Sequence, residues 1–243
     1  MNKHVLLTGV MLALAVSAVT AAEEEEKKEK ESPWTATVGL GYVNTSGNTN
    51  TESLVFKADV AYEIEKWKHV GHFDTLNSST DDVSTADRLR FGVQSDYKFT
   101  KRDYFYGLFN YEDDKFSGFE YQAKLSVGYG RKIIMTEKHE LDGEIGPGYR
   151  KFRPDNEPSE DEALLRLAGL YKWTISSYSE FTQDLIGDFG ELQDEWRSVT
   201  ALRTSIYEDL ALRLAYEVRY LDVVPAGNDN YDRTTTVSLD YTF

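Results

Sequence analysis

Residues 210–220 read LALRLAYEVRY, and this stretch decides the fold class because its apolar and charged side chains alternate without a break. Leucine, tyrosine and valine occupy the even positions, whereas alanine, arginine and glutamate occupy the odd ones. Successive side chains of a β-strand point to opposite faces. The stretch therefore predicts a strand with one apolar face and one face that carries charge.

The same alternation recurs in runs separated by clusters of Gly, Asn, Asp, Ser and Pro. The clearest runs are residues 34–42, 54–63, 88–98, 120–129, 140–150 and 237–243. Less regular runs occupy residues 67–77, 104–111, 163–173, 181–189 and 196–207. Together they predict about twelve strands, many of them about 9 to 11 residues long, as a tilted transmembrane strand requires.

The connections between these runs alternate in length. Short links lie near residues 64–66, 100–102, 136–138 and 208–209. Polar loops lie around residues 44–50, 77–86, 112–118, 153–161, 187–195 and 222–230. Short periplasmic turns and longer external loops are typical of outer-membrane barrels. The sequence thus predicts an all-β fold, a single antiparallel up-and-down transmembrane β-barrel over residues 34–243.

Aromatic residues fall at two heights along the predicted strands, as expected for rings at the two headgroup levels of a membrane. One band lies beside the short turns and contains Trp34, Tyr62, Trp67, Tyr97, Phe105, Tyr129, Trp173, Phe181, Tyr207 and Phe243. The other lies near the long loops and contains Tyr42, Tyr111, Tyr121, Tyr149, Trp196, Tyr220 and Tyr231. The alternative is a soluble β-sandwich with these aromatics in its core.

The polar face of the strands carries charges of both signs. Its basic members are Lys57, Arg88, Arg90, Lys98, Lys124, Arg150, Arg213 and Arg219. Its acidic members are Asp59, Glu63, Asp96, Glu120, Glu140, Asp142, Glu144 and Glu217. In a barrel of this size they predict extensive cross-strand pairing in the lumen. The pattern leaves open whether a small pore remains.

The first residues are typical of an export signal. Lys3 supplies a positive charge, residues 5–19 are almost unbroken apolar sequence, and small residues follow for cleavage. We expect a signal peptide over residues 1–22 and a charged periplasmic tether over residues 23–33. An uncleaved membrane anchor is the alternative, although the apolar stretch is shorter than the roughly 20 residues that span a bilayer.

Composition excludes several kinds of chemistry. The chain has no cysteine, so it can form neither a disulfide nor a thiolate site, and its net charge of −15 disfavours nucleic acid. Glu140, Asp142 and Glu144 share a face and could bind a hard cation, but paired lumen charges are the preferred interpretation. No Ser–His arrangement for a lipid hydrolase can be assembled. We expect no enzymatic activity, no metal and no cofactor.

Three short motifs carry a resemblance to a known family. They are Leu40-Gly41-Tyr42 followed by TSGNT at residues 45–49, GPGYR at residues 146–150, and SLDYTF at residues 238–243. With these motifs, the whole segment after the signal resembles the YdiY-like family of salt-induced outer-membrane proteins. The resemblance implies a role in envelope adaptation to salt or osmotic stress.

The end of the chain is similar to the signal that barrel-assembly machinery recognises. The residues concerned are Val237, Leu239, Tyr241 and Phe243. The same residues would also satisfy a last strand with an apolar face.

The sequence thus predicts an integral barrel of the outer membrane of a Gram-negative bacterium, in contact with lipid and lipopolysaccharide. One alternative is a narrow pore for small solutes or ions. A second is a secreted periplasmic lipocalin-like binder, which would need the apolar face of the strands to point inward.

Overall fold

The computed structural model describes residues 32–46, 51–80, 83–115, 117–225 and 227–243. The predicted signal peptide, residues 1–22, lies outside the described residues, as does the tether up to residue 31. The described part begins its first strand at Trp34. The strands are β1 (Trp34–Ser46), β2 (Thr51–Ile64), β3 (Trp67–Thr80), β4 (Val83–Lys98), β5 (Asp103–Asp114), β6 (Phe119–Met135), β7 (His139–Pro154), β8 (Glu160–Thr174), β9 (Ser179–Gly190), β10 (Asp194–Tyr207), β11 (Leu210–Leu221) and β12 (Tyr231–Thr242).

These twelve strands form one closed barrel in which each strand pairs antiparallel with its neighbours in the chain. β1 and β12 close the ring, with their register running from Thr37 opposite Thr242 to Ser46 opposite Arg233. No helix among the described residues is long and apolar enough to cross a membrane. The predicted fold class and strand number are confirmed, and the β-sandwich alternative is wrong.

The apolar parity of each strand points away from the lumen. On β11, Leu212, Leu214 and Tyr216 are exposed on the outside, whereas Ala211 and Ala215, which have the other parity, are buried. This orientation contradicts the lipocalin-like alternative, because such a binder needs its apolar parity inside. The barrel is therefore inverted relative to a soluble one, with its polar face enclosed.

The predicted short turns lie where expected, at one end of the barrel. Glu65 and Glu208 adopt positive φ in two of them. The connection between β8 and β9, residues 175–178, is also short and lies between Trp173 and Phe181 of the predicted short-turn band. The long polar loops predicted over residues 77–86 and 187–195 are wrong. β3 continues to Thr80 and β4 already begins at Val83, while β9 continues to Gly190 and β10 begins at Asp194.

Ring contacts follow the two predicted aromatic bands. At the short-turn end the contacting pairs include Trp34–Tyr62, Trp67–Tyr97 and Phe99–Phe105, with ring centroids 4.4, 5.0 and 4.8 Å apart. At the long-loop end they include Tyr111–Tyr121, Phe189–Trp196 and Tyr220–Tyr231, at 6.4, 4.8 and 4.8 Å. Aromatic side chains thus border the apolar outer face at both ends.

Some polar side chains also lie on this outer face, and they bind one another. Gln183 donates to the Ser198 hydroxyl at 3.0 Å and accepts from the Thr200 hydroxyl at 2.5 Å. Such pairing lowers the cost of placing polar groups against an apolar surrounding.

Candidate functional site

The lumen is the candidate site, because strand alternation directs charged side chains into it. The predicted inward charges line it with one exception. Glu120 sits where the β5–β6 and β6–β7 registers shift, and the shift breaks the strand parity. It is half-exposed and forms an ion pair with Arg153 at 3.2 Å. The prediction that Glu120 faces inward is therefore wrong.

An ion-pair network crosses the half of the lumen next to the long loops. Arg90 on β4 binds Glu217 on β11 at 3.0 Å and Glu112 on β5 at 3.4 Å. Arg219 on β11 binds the same Glu112 at 2.5 Å and Glu195 on β10 at 3.2 Å. Because these strands lie on different sides of the barrel, the pairs span its interior.

The network continues to β6, β8 and β9. Glu195 also binds Lys124 at 2.5 Å, and Lys124 binds Asp188 at 2.8 Å. Asp188 in turn binds Arg166 at 3.4 Å. Each charge in this half therefore has an opposite charge nearby, as buried charges normally do.

Arg150 on β7 is the most enclosed member, with an exposed fraction of 0%. It binds Glu162 at 2.7 Å and Glu195 at 3.7 Å. It also donates to the side-chain oxygen of Gln193 at 3.1 Å, and Gln193 reaches inward from the β9–β10 connection. This connection thus contributes to the lumen as well as to the surface.

A small apolar cluster covers the network on the long-loop side. Phe119, Phe152 and Leu221 are buried together, and Val224 packs against them. The β11–β12 connection is tied down nearby, where the Asn228 amide donates to the Ser117 carbonyl at 2.8 Å.

The rim of the barrel has charge pairs of its own. Outside the strands, a hydrogen bond to Asp87 and its negative charge raise the pKa of Lys115. An exposed pair of this kind adds little to stability.

Among the described residues, three voids that share lining residues lie in the lumen. A void of about 380 Å³ lies in the short-turn half and is lined by Thr37, Arg213 and Asp240, among others. A central void of about 360 Å³ shares Lys57, Asp59 and Arg213 with it. A narrow void of only about 40 Å³ shares Arg90, Arg197 and Glu217 with the central void.

Tyrosine rings lie flat on one wall where glycines leave space. Tyr104 and Tyr106 of β5 are buried, and a Cβ on Gly130 of β6 would collide with the Tyr104 ring. A Cβ on Gly128 would lie 2.7 Å from the Tyr106 ring. The Tyr104 hydroxyl donates to Glu144 at 3.0 Å. This part of the wall is therefore closely packed.

The three carboxylates considered for a hard cation are each engaged by other side chains. Glu140 binds Lys172 at 2.6 Å, and Asp142 lies 3.8 Å from Lys132. Glu144 accepts from Tyr104, as above, and from Gln94 at 3.0 Å. Glu140 and Asp142 thus lie beside lysines, whereas Glu144 is bound by uncharged side chains.

The four residues of the predicted assembly signal face outward at the short-turn end of β12 and beyond it. All of them are exposed, namely Val237, Leu239, Tyr241 and Phe243. The Tyr241 and Phe243 rings are 4.8 Å apart. Their part in assembly stays a prediction.

Sequence reasoning missed several members of the ion-pair network. They lie on the less regular runs or just beyond them, and they are Asp74, Glu112, Glu162, Arg166, Asp188, Glu195 and Arg197. A signal existed, since Arg197 and Glu195 share a parity on β10. Extending the alternation through the irregular runs would have found them.

The sequence of this chain is similar to a known protein family and to a protein of Escherichia coli. A family model described as "Protein of unknown function, DUF481" matches residues 38–243. The uncharacterised protein YdiY of Escherichia coli (strain K12) is 28% identical over 214 residues, which are 87% of this chain and 84% of that protein.

Solved structures of the same fold have much lower identity. A NanC porin aligns with a TM-score of 0.59 and 11% identity over 84% of this chain and 98% of its own. The translocator domain of the autotransporter NalP from Neisseria meningitidis aligns with a TM-score of 0.53 and 10% identity, over 89% and 90% of the two chains. These similarities concern the fold.

Proposed function

The chain belongs to the DUF481 family, which includes relatives of YdiY, and from that premise we propose an integral outer-membrane barrel with a narrow polar passage for water and small ions. The family description gives no activity, so the proposal depends on the outer face and the lumen of the barrel.

The outer face supports membrane insertion. Large apolar side chains are exposed on every strand, for example Leu40 on β1, Leu125 on β6 and Leu214 on β11. Soluble monomers rarely expose contiguous apolar patches of more than a few hundred Å². An apolar band bordered by aromatic rings at both ends matches a lipid slab with two interfaces.

The observation that carries the passage is the series of voids through a polar lumen. The central void shares residues with both of the others, including Lys57 with the short-turn void and Glu217 with the narrow one. A water molecule needs about 10 to 15 Å³ of such space. The narrow void of about 40 Å³ therefore has room for about three water molecules.

The narrow void sets the selectivity of the proposed passage. Arg88, Arg90, Arg197 and Glu217 line it, so a permeating ion passes fixed charges of both signs. A void of this volume has room for water and small ions but not for larger organic solutes in this conformation. Rings of charged side chains are a common way in which pores select ions.

Planar-bilayer recording tests the passage. We expect the refolded full chain to give small conductance steps in potassium chloride. The double variant R197A/E217A removes two side chains from the narrow void together, so that neither leaves the other unpaired, and it should conduct more. Arg90 keeps Glu112 as its partner in that variant.

The matched control is the double variant E120A/R153A, which removes an ion pair at the rim outside the lumen. It should conduct like the wild type. Absence of conductance from both the wild type and R197A/E217A, in protein that has folded, would contradict a passage.

Membrane insertion is tested separately. The expressed protein should stay in the outer-membrane fraction after carbonate extraction and should migrate differently on a gel before and after heating. Recovery as soluble periplasmic protein would contradict the membrane proposal.

A role in envelope adaptation to salt or osmotic stress is a proposal supported by the family resemblance alone. A deletion strain should then grow more slowly than its parent at high salt, and the cloned gene should restore growth. Equal growth of both strains over the full range of salt would argue against this role.

A further inference from the structure

The void in the short-turn half differs in its charges from the rest of the lumen. Three basic and three acidic side chains line it, and they are Lys57, Arg203, Arg213, Asp59, Glu180 and Asp240. None of the six forms an ion pair with another residue that the structure describes. In the long-loop half, by contrast, charges are paired through the network.

The basic side chains include two guanidinium groups on neighbouring strands. Arg203 on β10 lies directly opposite Arg213 on β11 in the strand register. Like charges in directly opposite positions destabilise a sheet. Arg203 also donates to the Thr242 hydroxyl at 2.9 Å, which positions one of the two groups without neutralising it. Two adjacent guanidinium groups make a binding place for a carboxylate.

The acidic side chains lie on the neighbouring part of the wall. Asp59 on β2 is opposite Thr37 of β1, and Asp240 on β12 is opposite Gly39 of β1. The two carboxylates therefore flank β1 on both sides. Asp240 accepts a hydrogen bond from the Ser238 hydroxyl at 2.7 Å, which leaves its charge without a cation. Moving around the wall from β2 to β9, Lys57 and Asp59 are followed by Asp240, then by the two arginines, and then by Glu180, which lies opposite Arg203 in the strand register.

Charges that are separated in this way suit a ligand that carries both signs. Separated charges in a confined space cost free energy unless water or a ligand compensates them. A simple anion would be attracted by the arginines and repelled by the carboxylates beside them. A molecule with an anionic end and a cationic end meets an opposite charge at both ends.

We propose that this void binds a small zwitterionic solute, with its carboxylate at Arg203 and Arg213 and its ammonium group at Asp59 and Asp240. The inference rests on the proposed passage and names the class of solute that enters it from the short-turn end. The void of about 380 Å³ falls in the size range of small-molecule sites. Adjacent strands are about 4.8 Å apart. Because the arginines and the carboxylates lie on different strands, the carboxylate and ammonium groups of the ligand must be separated by several bonds.

Titration calorimetry of the refolded full chain in a non-ionic detergent tests the site. The probe is 4-aminobutyrate, with butyrate and butylammonium as ligands of the same chain length that carry one charge each. We expect saturable heat with 4-aminobutyrate and affinities for both single-charge ligands that are about tenfold weaker or more, as loss of one charged contact predicts. Binding should weaken as sodium chloride is added, because salt screens charges that water reaches.

Variants assign the two ends of the ligand. R203Q/R213Q should abolish binding of 4-aminobutyrate. D59N/D240N should weaken 4-aminobutyrate but leave butyrate binding equal or tighter. The matched control is R131Q, which removes an exposed arginine that pairs with Asp103 away from the void. If R203Q/R213Q does not fold, the opposite responses of D59N/D240N to the two ligands still decide the question.

Three results overturn the proposal. The first is that butyrate binds as tightly as 4-aminobutyrate. The second is that R203Q/R213Q binds 4-aminobutyrate as the wild type does. The third is that no probe gives heat with folded protein, that is, protein whose migration on a gel changes on heating. Because calorimetry in detergent needs no conduction, it separates failure of this site from failure of the passage, which the bilayer recordings report.

Discussion

At the scale of single residues, Arg150 shows why a buried charge needs its partners. Its guanidinium group is enclosed by Glu162, Glu195 and Gln193, and no water reaches it. Burial of an ion pair adds little net stability, but removal of one partner leaves an uncompensated charge. The main effect of losing Arg150 would therefore be a buried carboxylate, that of Glu162, without a cation.

We predict that R150A lowers the free energy of unfolding by about 3 to 5 kcal/mol, because Glu162 loses its cation in a buried place. Urea unfolding in lipid vesicles, followed by tryptophan fluorescence, measures the change. R153A is the matched control on the same strand, since Arg153 is half-exposed and pairs with Glu120 at the rim. That variant should cost no more than about 1 kcal/mol. Equal losses in the two variants would contradict the assignment of Arg150 to a buried network.

Phe243 raises a different question, namely whether an exposed aromatic side chain serves assembly or only membrane contact. Phe243 and Tyr207 are 72% and 69% exposed, and both lie at the short-turn end. Phe243 belongs to the predicted assembly signal, whereas Tyr207 is the last residue of β10. The two residues therefore form a natural comparison.

We predict that F243D reduces the heat-modifiable protein in the outer-membrane fraction far more than Y207D does. The reason is that machinery which recognises the predicted signal would contact Phe243 and not Tyr207, whereas contact with lipid headgroups would involve both. The backbone N–H of residue 243 donates to the Ala36 carbonyl at 2.8 Å, and the substitution leaves that bond possible. Similar losses in both variants would show that exposure alone matters.

At the scale of elements, alternation predicts a strand where its two faces meet different surroundings. This condition holds from residue 210 to residue 220, and β11 covers that stretch. It fails in the hairpin of β3 and β4, where NSSTDDVSTA at residues 77–86 suggests a loop although the ladder continues to Thr80 and from Val83. The part of a strand that extends beyond the apolar outer face needs no alternation of apolar and polar residues. The sequence alone therefore does not show where such a strand ends.

The inward charges were largely predictable, but their partners were not. Arg90 and Glu217 bind each other at 3.0 Å although 127 residues separate them in the chain. Parity tells which face a side chain occupies, whereas pairing across a lumen depends on the heights of strands that are not neighbours. The contrast between the paired network and the unpaired charges around the short-turn void could for this reason emerge only from the structure.

Packing of tyrosine on glycine gives a prediction at the same scale. We predict that G130A lowers the free energy of unfolding by about 1 to 3 kcal/mol, because its methyl group must displace the Tyr104 ring. G169A is the control, since a Cβ there meets nothing within 4 Å. It should be neutral or stabilise the barrel by up to about 1 kcal/mol. A neutral G130A would mean that the Tyr104 ring can move at no cost.

At the scale of the whole molecule, the two halves of the lumen serve different needs. The long-loop half joins β4 to β11 through paired charges and is covered by Phe119, Phe152 and Leu221. The short-turn half contains a larger void, and the charged side chains that line this void form no ion pairs among the described residues. Access from the short-turn end should therefore be easier than access from the long-loop end.

Cysteine labelling tests this asymmetry, and the chain suits the method because it contains no cysteine. Thr37 lines the short-turn void and Thr236 lines the narrow void of about 40 Å³. We predict that a charged thiol reagent modifies T37C quickly and T236C much more slowly in the folded barrel, because the reagent is too large for a space that holds about three water molecules.

Both variants should react at the same rate after unfolding. In the background R197A/E217A, which widens the narrow void, T236C should become faster while T37C stays unchanged. Rapid modification of T236C without those substitutions would instead mean that the lumen is open along its full length, and the ion pairs would then line a pore rather than restrict it.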